Sequence, residues 1–165
     1  IVISDDNKIK GVIGIVDETR LESANTIKQL HGLNIKTAIL TGDNLSAANY
    51  VAKRVGIDEV YAKLLTDEKV TKLSILLSKY KKVAMIGDGV NDAPALATST
   101  VGIAMGAVGS EVAIENSDIA LMNNNIELIP FLIKLGRVSV KTIKVNITSA
   151  VFVKLLFLIV FLLLK

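Results

Sequence analysis

Two aspartates and an asparagine follow a short apolar run, and their spacing suits metal chemistry. The run is 83–86, and Asp88, Asn91 and Asp92 come after it among glycines. Ligands of open α/β sheets bind beyond the carboxyl ends of strands, and Mg²⁺ takes one or two carboxylates together with water and phosphate oxygens. An ordinary Asp-Gly turn, with Asp92 capping a helix, is the alternative. The density of acidic and amide groups favours the metal site.

A hydroxyl and an ammonium group elsewhere in the chain could act on a phosphate beside that metal. Thr41, Gly42 and Asp43 follow a second apolar run. Lys69 lies in an amphipathic stretch. A hydroxyl with backbone amides, an ammonium group and a carboxylate-bound Mg²⁺ can hold a phosphoryl group and neutralise its charge. Taken singly, Thr-Gly-Asp is most often a helix cap and a lone lysine a solvated charge. Together they favour a phosphoryl site that lacks a nucleophile.

Strand and helix signals alternate along the chain, and this alternation predicts how the polar residues are positioned. Short apolar runs alternate with amphipathic stretches that end at glycine or begin at capping residues. The predicted strands are 1–4, 9–16, 35–40, 60–61, 83–86, 101–105 and 118–122, and the predicted helical segments are 21–33, 44–56, 66–80 with Thr66 as its cap, and 110–115. The first two strands form a hairpin, and the others imply parallel strands with right-handed crossovers. The predicted fold class is α/β, a doubly wound and mostly parallel sheet.

Composition limits the classes of partner. The chain has 51% hydrophobic and 21% charged residues, which is ordinary for a folded domain. Absence of cysteine excludes disulfides and thiolate metal ligands within these 165 residues. A net charge of +3 raises nucleic acid as a partner, but aromatic residues amount to only 4%, and nucleic-acid surfaces commonly use them for base stacking. We expect no nucleic-acid partner.

The end of the chain has a different pattern from the rest. Residues 147–164 are apolar or small apart from Thr148, Ser149 and Lys154. About 20 such residues span the hydrocarbon core of a membrane. The segment is therefore predicted to be a transmembrane helix that follows the α/β domain, with a buried core helix as the alternative.

A basic segment precedes this apolar stretch. After Glu127 the chain has no acidic residue, whereas four basic residues lie within 127–146: Lys134, Arg137, Lys141 and Lys144. Basic residues beside a span mark its cytoplasmic side, although they could also form a solvated helix face. The predicted organisation is an α/β domain at 1–126, a basic linking helix at 127–146 and a transmembrane helix at 147–165. The predicted location is the cell membrane, with residues 1–146 in the cytoplasm.

Three stretches together resemble the later part of the phosphorylation domain of P-type ATPases, within the haloacid dehalogenase superfamily. They are Leu-Thr-Gly-Asp-Asn at 40–44, Asp-Glu-Lys at 67–69, and Gly-Asp-Gly-Val-Asn-Asp-Ala-Pro-Ala-Leu at 87–96. The resemblance covers essentially the whole chain, and the third stretch is highly specific. It implies a Rossmann-like fold in a membrane enzyme that hydrolyses ATP with Mg²⁺ to move a cation.

The resemblance also implies which residues act in catalysis: Thr41, Gly42, Asp43, Lys69, Asp88, Asn91 and Asp92. In the family's pattern Thr41 and Lys69 contact the phosphoryl group and also count among the cofactor-binding residues. Asp88 and Asp92 would hold Mg²⁺. Asp17 and Arg20 are similar to an Asp-x-x-Arg element that lies near the nucleotide and the hinge.

The sequence departs from the family pattern at several positions. Leu21 stands where many members have proline, and Thr66 replaces a proline common before the lysine helix. More importantly, the Asp-Lys-Thr-Gly motif that contains the family's nucleophilic aspartate does not occur. The chain also has no initiator methionine and begins within an apolar run. We therefore expect a fragment that is inactive alone, with ATP bound mainly by domains outside it.

The transported ion is indicated by the apolar segment. Lys154, with Asn146 and Ile147 before it, resembles the corresponding helix of zinc, cadmium and lead exporters, and the Tyr-Asn pair usual in copper exporters is absent. An ionisable residue within hydrocarbon is costly and is a functional candidate by default. The alternative is a lysine whose ammonium group extends to the membrane interface.

Two other functions remain open at the level of sequence. One is a soluble phosphatase of the same superfamily, which would need its own nucleophilic aspartate and no membrane span. The other is a non-catalytic remnant that binds Mg²⁺ or phosphate. The apolar stretch at 147–164 favours the ATP-driven heavy-metal transporter over the phosphatase.

Overall fold

The structure is a computed structural model that describes residues 2–5, 8–12, 19–87, 90–106 and 111–164. After an initial hairpin, strands and helices alternate through this part of the chain. The strands are β1 (Val2–Asp5), β2 (Lys8–Val12), β3 (Ala38–Leu40), β4 (Glu59–Tyr61), β5 (Ala84–Gly87), β6 (Val101–Met105) and β7 (Ile119–Leu121). The helices are α1 (Ser23–Gly32), α2 (Leu45–Val55), α3 (Thr66–Tyr80), α4 (Ala93–Thr98), α5 (Glu111–Glu115) and α6 (Leu128–Leu163), with a 3₁₀ turn at Val90–Asp92.

The described strands form two parallel sheets and one hairpin. Strands β5, β6 and β7 form a parallel sheet with β6 in the centre, and β3 and β4 form a separate parallel pair. Strands β1 and β2 pair in antiparallel orientation. Parallel neighbours need a crossover connection, and α2, α4 and α5 lie in the crossovers between them. The predicted α/β class with mostly parallel strands is confirmed.

The central strand β6 shows that helices cover both faces of the three-stranded sheet. Ala104 belongs to a buried cluster that includes Leu73 of α3. Its neighbour Ile103 belongs to another cluster, with Leu30 of α1 and Ile129 of α6. Because successive side chains of a strand point to opposite faces, these two clusters lie on opposite sides of the sheet. The sheet is doubly wound, as the sequence predicts.

Two aspartates fix the register of neighbouring strands at their amino ends. Asp58, just before β4, accepts a hydrogen bond from the backbone N–H of Thr37 at 2.8 Å. Asp118, just before β7, accepts one from the backbone N–H of Gly102 at 2.8 Å. The hydrogen bond from Thr37 stabilises the charged carboxylate and lowers the pKa of Asp58 to about 2. A fixed register at the amino ends determines where the carboxyl ends emerge.

Some predicted boundaries are wrong by a few residues. Strand β3 begins at Ala38 instead of Ile35, because the backbone N–H of Ile35 bonds to the carbonyl of Leu30 at the end of α1 at 3.1 Å. Thr66 is the first residue of α3 and not its cap. The capping contact comes from Glu68, whose Oε2 accepts the backbone N–H of Leu65 at 2.8 Å.

Helix α6 joins the α/β domain to the apolar segment. It is one continuous helix of 36 residues, about 54 Å long at a rise of 1.5 Å per residue. Ile129 and Pro130 are buried at its start, and its side chains are exposed from Lys134 onward. By length and composition, α6 is the one described helix that could cross a membrane. It runs through the predicted linking segment into the predicted span.

Candidate active site

The turn after β3 holds the hydroxyl of Thr41. Its Oγ1 donates to Oδ2 of Asp43 at 2.9 Å and accepts the backbone N–H of Asp43 at 3.1 Å. The cap of α2 is Asn44, whose Oδ1 accepts the backbone N–H of Ala47 at 2.9 Å. Because Asn44 caps the helix, Thr41 and Asp43 are not needed for that role.

Backbone hydrogen bonds tie this turn to the start of α3. The N–H of Leu64 donates to the carbonyl of Thr41 at 3.0 Å, and the N–H of Lys63 donates to the carbonyl of Asp43 at 2.8 Å. Helix α3 begins two residues after Leu64, and Lys69 lies one turn into it. The turn after β3 and the first turn of α3 are therefore held next to each other.

Lys69 forms an ion pair with Asp92. Its Nζ lies 2.8 Å from Oδ1 of Asp92, and the two side chains are only 16% and 17% exposed. Asp92 directly precedes α4, but its side chain makes no capping hydrogen bond. The interpretation of Asp92 as a helix cap is therefore wrong, and its carboxylate faces a lysine 23 residues earlier in the chain.

Gly87, at the carboxyl end of β5, allows Asp92 to approach the strand. A Cβ atom at position 87 would lie 2.6 Å from the Cβ of Asp92 and 3.0 Å from its Oδ2. Distances this short are prohibitive, so any larger residue would displace the Asp92 side chain. Gly87 was not among the residues predicted for the site, although its place at the end of an apolar run was a signal of close approach.

The other predicted site residues are placed less closely together. Asn91 is exposed in the 3₁₀ turn. Arg20 donates a hydrogen bond to the backbone carbonyl of Asn124, which precedes α6. Asp17 and Asp88 lie outside the described residues. The structure therefore brings together Thr41 with Asp43, and Lys69 with Asp92.

A wide groove of about 440 Å³ lies between β4 and a different face of α3. Its lining residues are Val60, Tyr61, Ala62, Leu64, Glu68, Thr71, Lys72 and Ile75. The ammonium group of Lys72 lies 4.0 Å from the centre of the Tyr61 ring, as in a cation–π contact. Neither Lys69 nor Asp92 lines this groove, so it is distinct from the ion pair.

Two of the described acidic residues lie in the loops predicted to hold the site. Asp43 and Asp92 offer hard carboxylate oxygen atoms, and Mg²⁺ needs only one or two carboxylates because water and phosphate fill its shell. Within the described ranges no group of three or more His, Cys, Asp or Glu side chains could hold a metal.

The sequence profile of the haloacid dehalogenase-like hydrolases matches residues 1–99. The match contains both the turn after β3 and the segment that links β5 to α4, and the parallel sheet covered by helices agrees with it. The chain therefore belongs to the haloacid dehalogenase-like hydrolase family.

Within this family, the chain is similar to metal-transporting ATPases. The cadmium-transporting ATPase of Staphylococcus aureus is 45% identical over 156 residues, which are 94% of this chain and 22% of that protein. A copper-exporting P-type ATPase of Staphylococcus epidermidis is 42% identical over 146 residues, which are 88% of this chain and 18% of that protein. The chain thus spans about a fifth of the length of these curated relatives.

Solved structures agree with this assignment. A zinc-transporting PIB-type ATPase in its E2.Pi state superposes with a TM-score of 0.88 and 38% identity, covering 98% of this chain and 26% of that one. A 3-deoxy-D-manno-octulosonate 8-phosphate phosphatase from Moraxella catarrhalis, solved with magnesium and phosphate ions, superposes with a TM-score of 0.59 and 26% identity. It covers 68% of each chain.

These comparisons confirm the resemblance noted in the sequence. The chain is homologous to the phosphorylation domain of heavy-metal P-type ATPases. Its homologues are ATP-driven transporters of heavy-metal cations in the membrane. The long apolar helix α6, which by length and composition could cross a membrane, agrees with this relationship.

Proposed function

We propose that this chain forms the phosphate-binding and Mg²⁺-binding half of an aspartyl-phosphate site in an ATP-driven transporter of heavy-metal cations. The observation that carries the proposal is the ion pair between Lys69 and Asp92 at 2.8 Å. It places an ammonium group at the carboxyl end of β5, where α/β sheets bind ligands. Relatives named as cadmium-transporting and zinc-transporting ATPases indicate the reaction class.

Thr41 and Lys69 bind the phosphoryl group in this proposal. The backbone N–H of Asp43 holds Oγ1 of Thr41, so the hydroxyl proton can turn from the Asp43 carboxylate to a phosphate oxygen. The carboxylate of Asp92 holds the ammonium group of Lys69 in place. The positive charge of that ammonium group then faces the phosphate. Prearranged donors of this kind stabilise charge that develops in phosphoryl transfer.

Asp88 and Asp92 are the proposed magnesium ligands, with Asn91 nearby. Gly42, beside Thr41, has no side chain that would cover the backbone of its turn. Bound Mg²⁺ would neutralise phosphate charge and orient the phosphoryl group. Asp17 and Arg20 are proposed to lie toward the nucleotide and the hinge. Within the whole chain, 1–126 would be the catalytic part, 127–146 the linking part and 147–165 the span.

The nucleophilic aspartate must come from another segment, because the sequence lacks the Asp-Lys-Thr-Gly motif. Among the described strands, β3 pairs only with β4, and β5 pairs only with β6. In this proposal a further strand lies between β3 and β5 and brings an aspartate to the carboxyl ends near Thr41 and Lys69. ATP would be bound mainly by the same additional segments.

A chimaera tests this function directly. The chain replaces the aligned segment of the Staphylococcus aureus cadmium-transporting ATPase, and phosphoenzyme formation from labelled ATP is measured in membranes. We expect Mg²⁺-dependent phosphoenzyme from the chimaera and none from the 165-residue chain alone. A chimaera that is inserted in the membrane and binds ATP, but forms no phosphoenzyme, would contradict the proposal.

Lys154 is the proposed contact to the transported cation or its ligands, and zinc, cadmium and lead are the proposed cargo. It lies in the apolar part of α6 and is exposed. Ion-stimulated ATPase activity of the chimaera, measured with each cation and with Cu(I), tests the assignment. We expect Lys154→Met to abolish stimulation by the divalent cations while phosphoenzyme formation from inorganic phosphate persists. Stimulation by Cu(I) alone would overturn it.

A phosphatase is the second candidate, and the match to a sugar-phosphate phosphatase favours it. It too requires an aspartate from outside this chain. Release of phosphate from small phosphate esters by the chimaera, with Mg²⁺ but without ATP and heavy-metal cations, would support a phosphatase over a transporter.

A further inference from the structure

Four basic residues form a stripe along one side of α6. Lys134, Arg137, Lys141 and Lys144 are separated by three, four and three positions. At about 100° per residue this spacing keeps all four side chains within a sector of about 80°. All four are exposed, and the sequence contains no acidic residue after Glu127. No carboxylate on α6 therefore neutralises the stripe.

The stripe continues the side of α6 that packs on the α/β domain. Ile129 is buried and Ile133 is partly buried in the cluster beneath β6. Arg137, four residues further along, donates from Nη2 to the carbonyl of Leu33 at 2.9 Å, at the end of α1. Lys141 follows after another four residues, beyond the last of these contacts. The part of the stripe after Arg137, which is Lys141 and Lys144, therefore faces the space between the domain and the membrane.

The distances along the helix divide the stripe into two parts. If the hydrocarbon core begins near Ile147, where the apolar run starts, a rise of 1.5 Å per residue places Lys144 about 4.5 Å and Lys141 about 9 Å above it. The headgroup layer is about 5–8 Å thick, and charges act over a Debye length of about 8 Å. Lys134 lies about 20 Å away, outside this range.

We propose that Lys141 and Lys144 form a binding surface for the anionic headgroups of phospholipids in the cytoplasmic leaflet. Across residues 19–87, 90–106 and 111–164, neither lysine has an ion pair. Their charge is complementary to that leaflet, and the surface is continuous with the membrane-crossing part of α6. The proposal depends on α6 entering the membrane and is independent of the proposed catalytic roles.

Such contacts would anchor α6 at a fixed depth, and through Arg137 they would fix the height of the α/β domain above the membrane. Each lysine near an anionic surface is expected to raise the association constant for an anionic lipid about five-fold. The effect should weaken with added salt, because the charges are exposed.

The chain contains no tryptophan, so a single introduced tryptophan can report on adjacent lipid. Val145→Trp places the probe at an exposed position next to Lys144. The full chain is reconstituted into bilayers of phosphatidylcholine with either brominated phosphatidylglycerol or brominated phosphatidylcholine. Quenching of the tryptophan by each brominated lipid gives their relative association constant at the probe. Circular dichroism checks that each variant keeps its helix content.

We expect phosphatidylglycerol to be preferred in the parent protein and the preference to fall about five-fold for each lysine lost in Lys141→Gln and Lys144→Gln. Lys134→Gln is the matched control, since it removes the same charge from the same stripe outside the headgroup layer, and it should leave the preference unchanged. No preference in the parent, a preference that survives in the double variant, or an equal loss in Lys134→Gln would overturn the proposal.

Discussion

Helix α3 carries a lysine near each end, and each lysine pairs with a carboxylate from another element at 2.8 Å. Lys69, near the amino end, pairs with Asp92, and Lys79, in the last turn, pairs with Glu59. The helix macrodipole favours a cation at the carboxyl end and disfavours one at the amino end, by about 0.3–1 kcal/mol in either case. Lys79 therefore stabilises its helix, whereas Lys69 lies where a positive charge is unfavourable.

The two ion pairs also differ in their exposure to water and in their neighbours. The side chain of Lys79 is 54% exposed, whereas that of Lys69 is 16% exposed. Glu59 also accepts hydrogen bonds from the hydroxyls of Tyr61 and Tyr80, so its carboxylate is saturated by neighbours. The Lys79 pair resembles a structural contact. The Lys69 pair is withdrawn from water and opposes the helix dipole, which is expected where a charge is kept for binding phosphate.

The largest expected difference between the two pairs is in catalysis. In the chimaera with the Staphylococcus aureus ATPase, Lys69→Ala should lower the rate of phosphoenzyme formation about 10²–10³-fold, because one preorganised positive charge is lost from the transition state. Lys79→Ala removes the same functional group from the same helix and should change the rate less than about two-fold. Rapid-quench measurement with labelled ATP gives both rates.

An equal loss of rate in the two variants would show that both ion pairs act in the same way, by holding α3 in position. A loss confined to Lys79→Ala would reverse the comparison. Lys69→Arg tests charge and shape separately. The guanidinium keeps the positive charge, but it is planar and larger than the compact ammonium group. Partial recovery in that variant would support a role in binding phosphate over a role in packing.

A smaller loss is expected from Gly87→Ala, which leaves both charges of the Lys69 pair in place. The added Cβ would lie 2.6 Å from the Cβ of Asp92, so Asp92 must move and Lys69 with it. Displacement of a positioned group by about 1 Å can cost about 10²-fold in rate, and overpacking costs about 1–3 kcal/mol in stability. Phosphoenzyme kinetics and thermal unfolding measure the two effects.

Gly136→Ala is the matched control for this substitution. A Cβ at position 136 meets no atom within 4 Å, and Gly136 lies inside α6, where alanine is favoured by about 0.5–1 kcal/mol. We expect no loss of rate and a small gain in stability. If Gly87→Ala is equally harmless, the close approach of Asp92 to β5 does not determine the geometry of the pair.

The sequence predicts the strands, the helices and the motif residues, but not which residues far apart in the chain contact each other. Alternating apolar runs predicted the parallel sheet, and the motif order predicted that Thr41, Lys69 and Asp92 belong to one site. From the sequence, Asp92 is either a metal ligand or a helix cap, and its ion pair with Lys69 is not predicted because the two residues are 23 positions apart. The predicted bounds of α3, 66–80, are correct, but its cap is Leu65 and not Thr66, because Glu68 accepts the backbone N–H of Leu65.

The smallest expected effect concerns the pH dependence of the structural pair. Lys79, and then the hydroxyls of Tyr61 and Tyr80, lower the pKa of Glu59 from 4.5 to about 2. A carboxyl with a lowered pKa in the folded state contributes stability that is complete above its unfolded pKa and disappears as the pH falls through the folded pKa. The contribution of Glu59 should therefore be present above pH 4.5 and be lost toward pH 2.

Glu59→Gln cannot make this contribution, so its Tm should lie about 2–4 °C below that of the parent at pH 6. The two should converge as the pH falls toward 2, because the parent then loses what the variant never had. Thermal unfolding of the detergent-solubilised chain across this range measures the difference. In a Lys79→Met background the effect of Glu59→Gln on the Tm should shrink, because the main cause of the lowered pKa is gone. A difference that stays constant with pH would show that Glu59 acts through packing, and the contrast between the two ends of α3 would then rest on burial and the helix dipole alone.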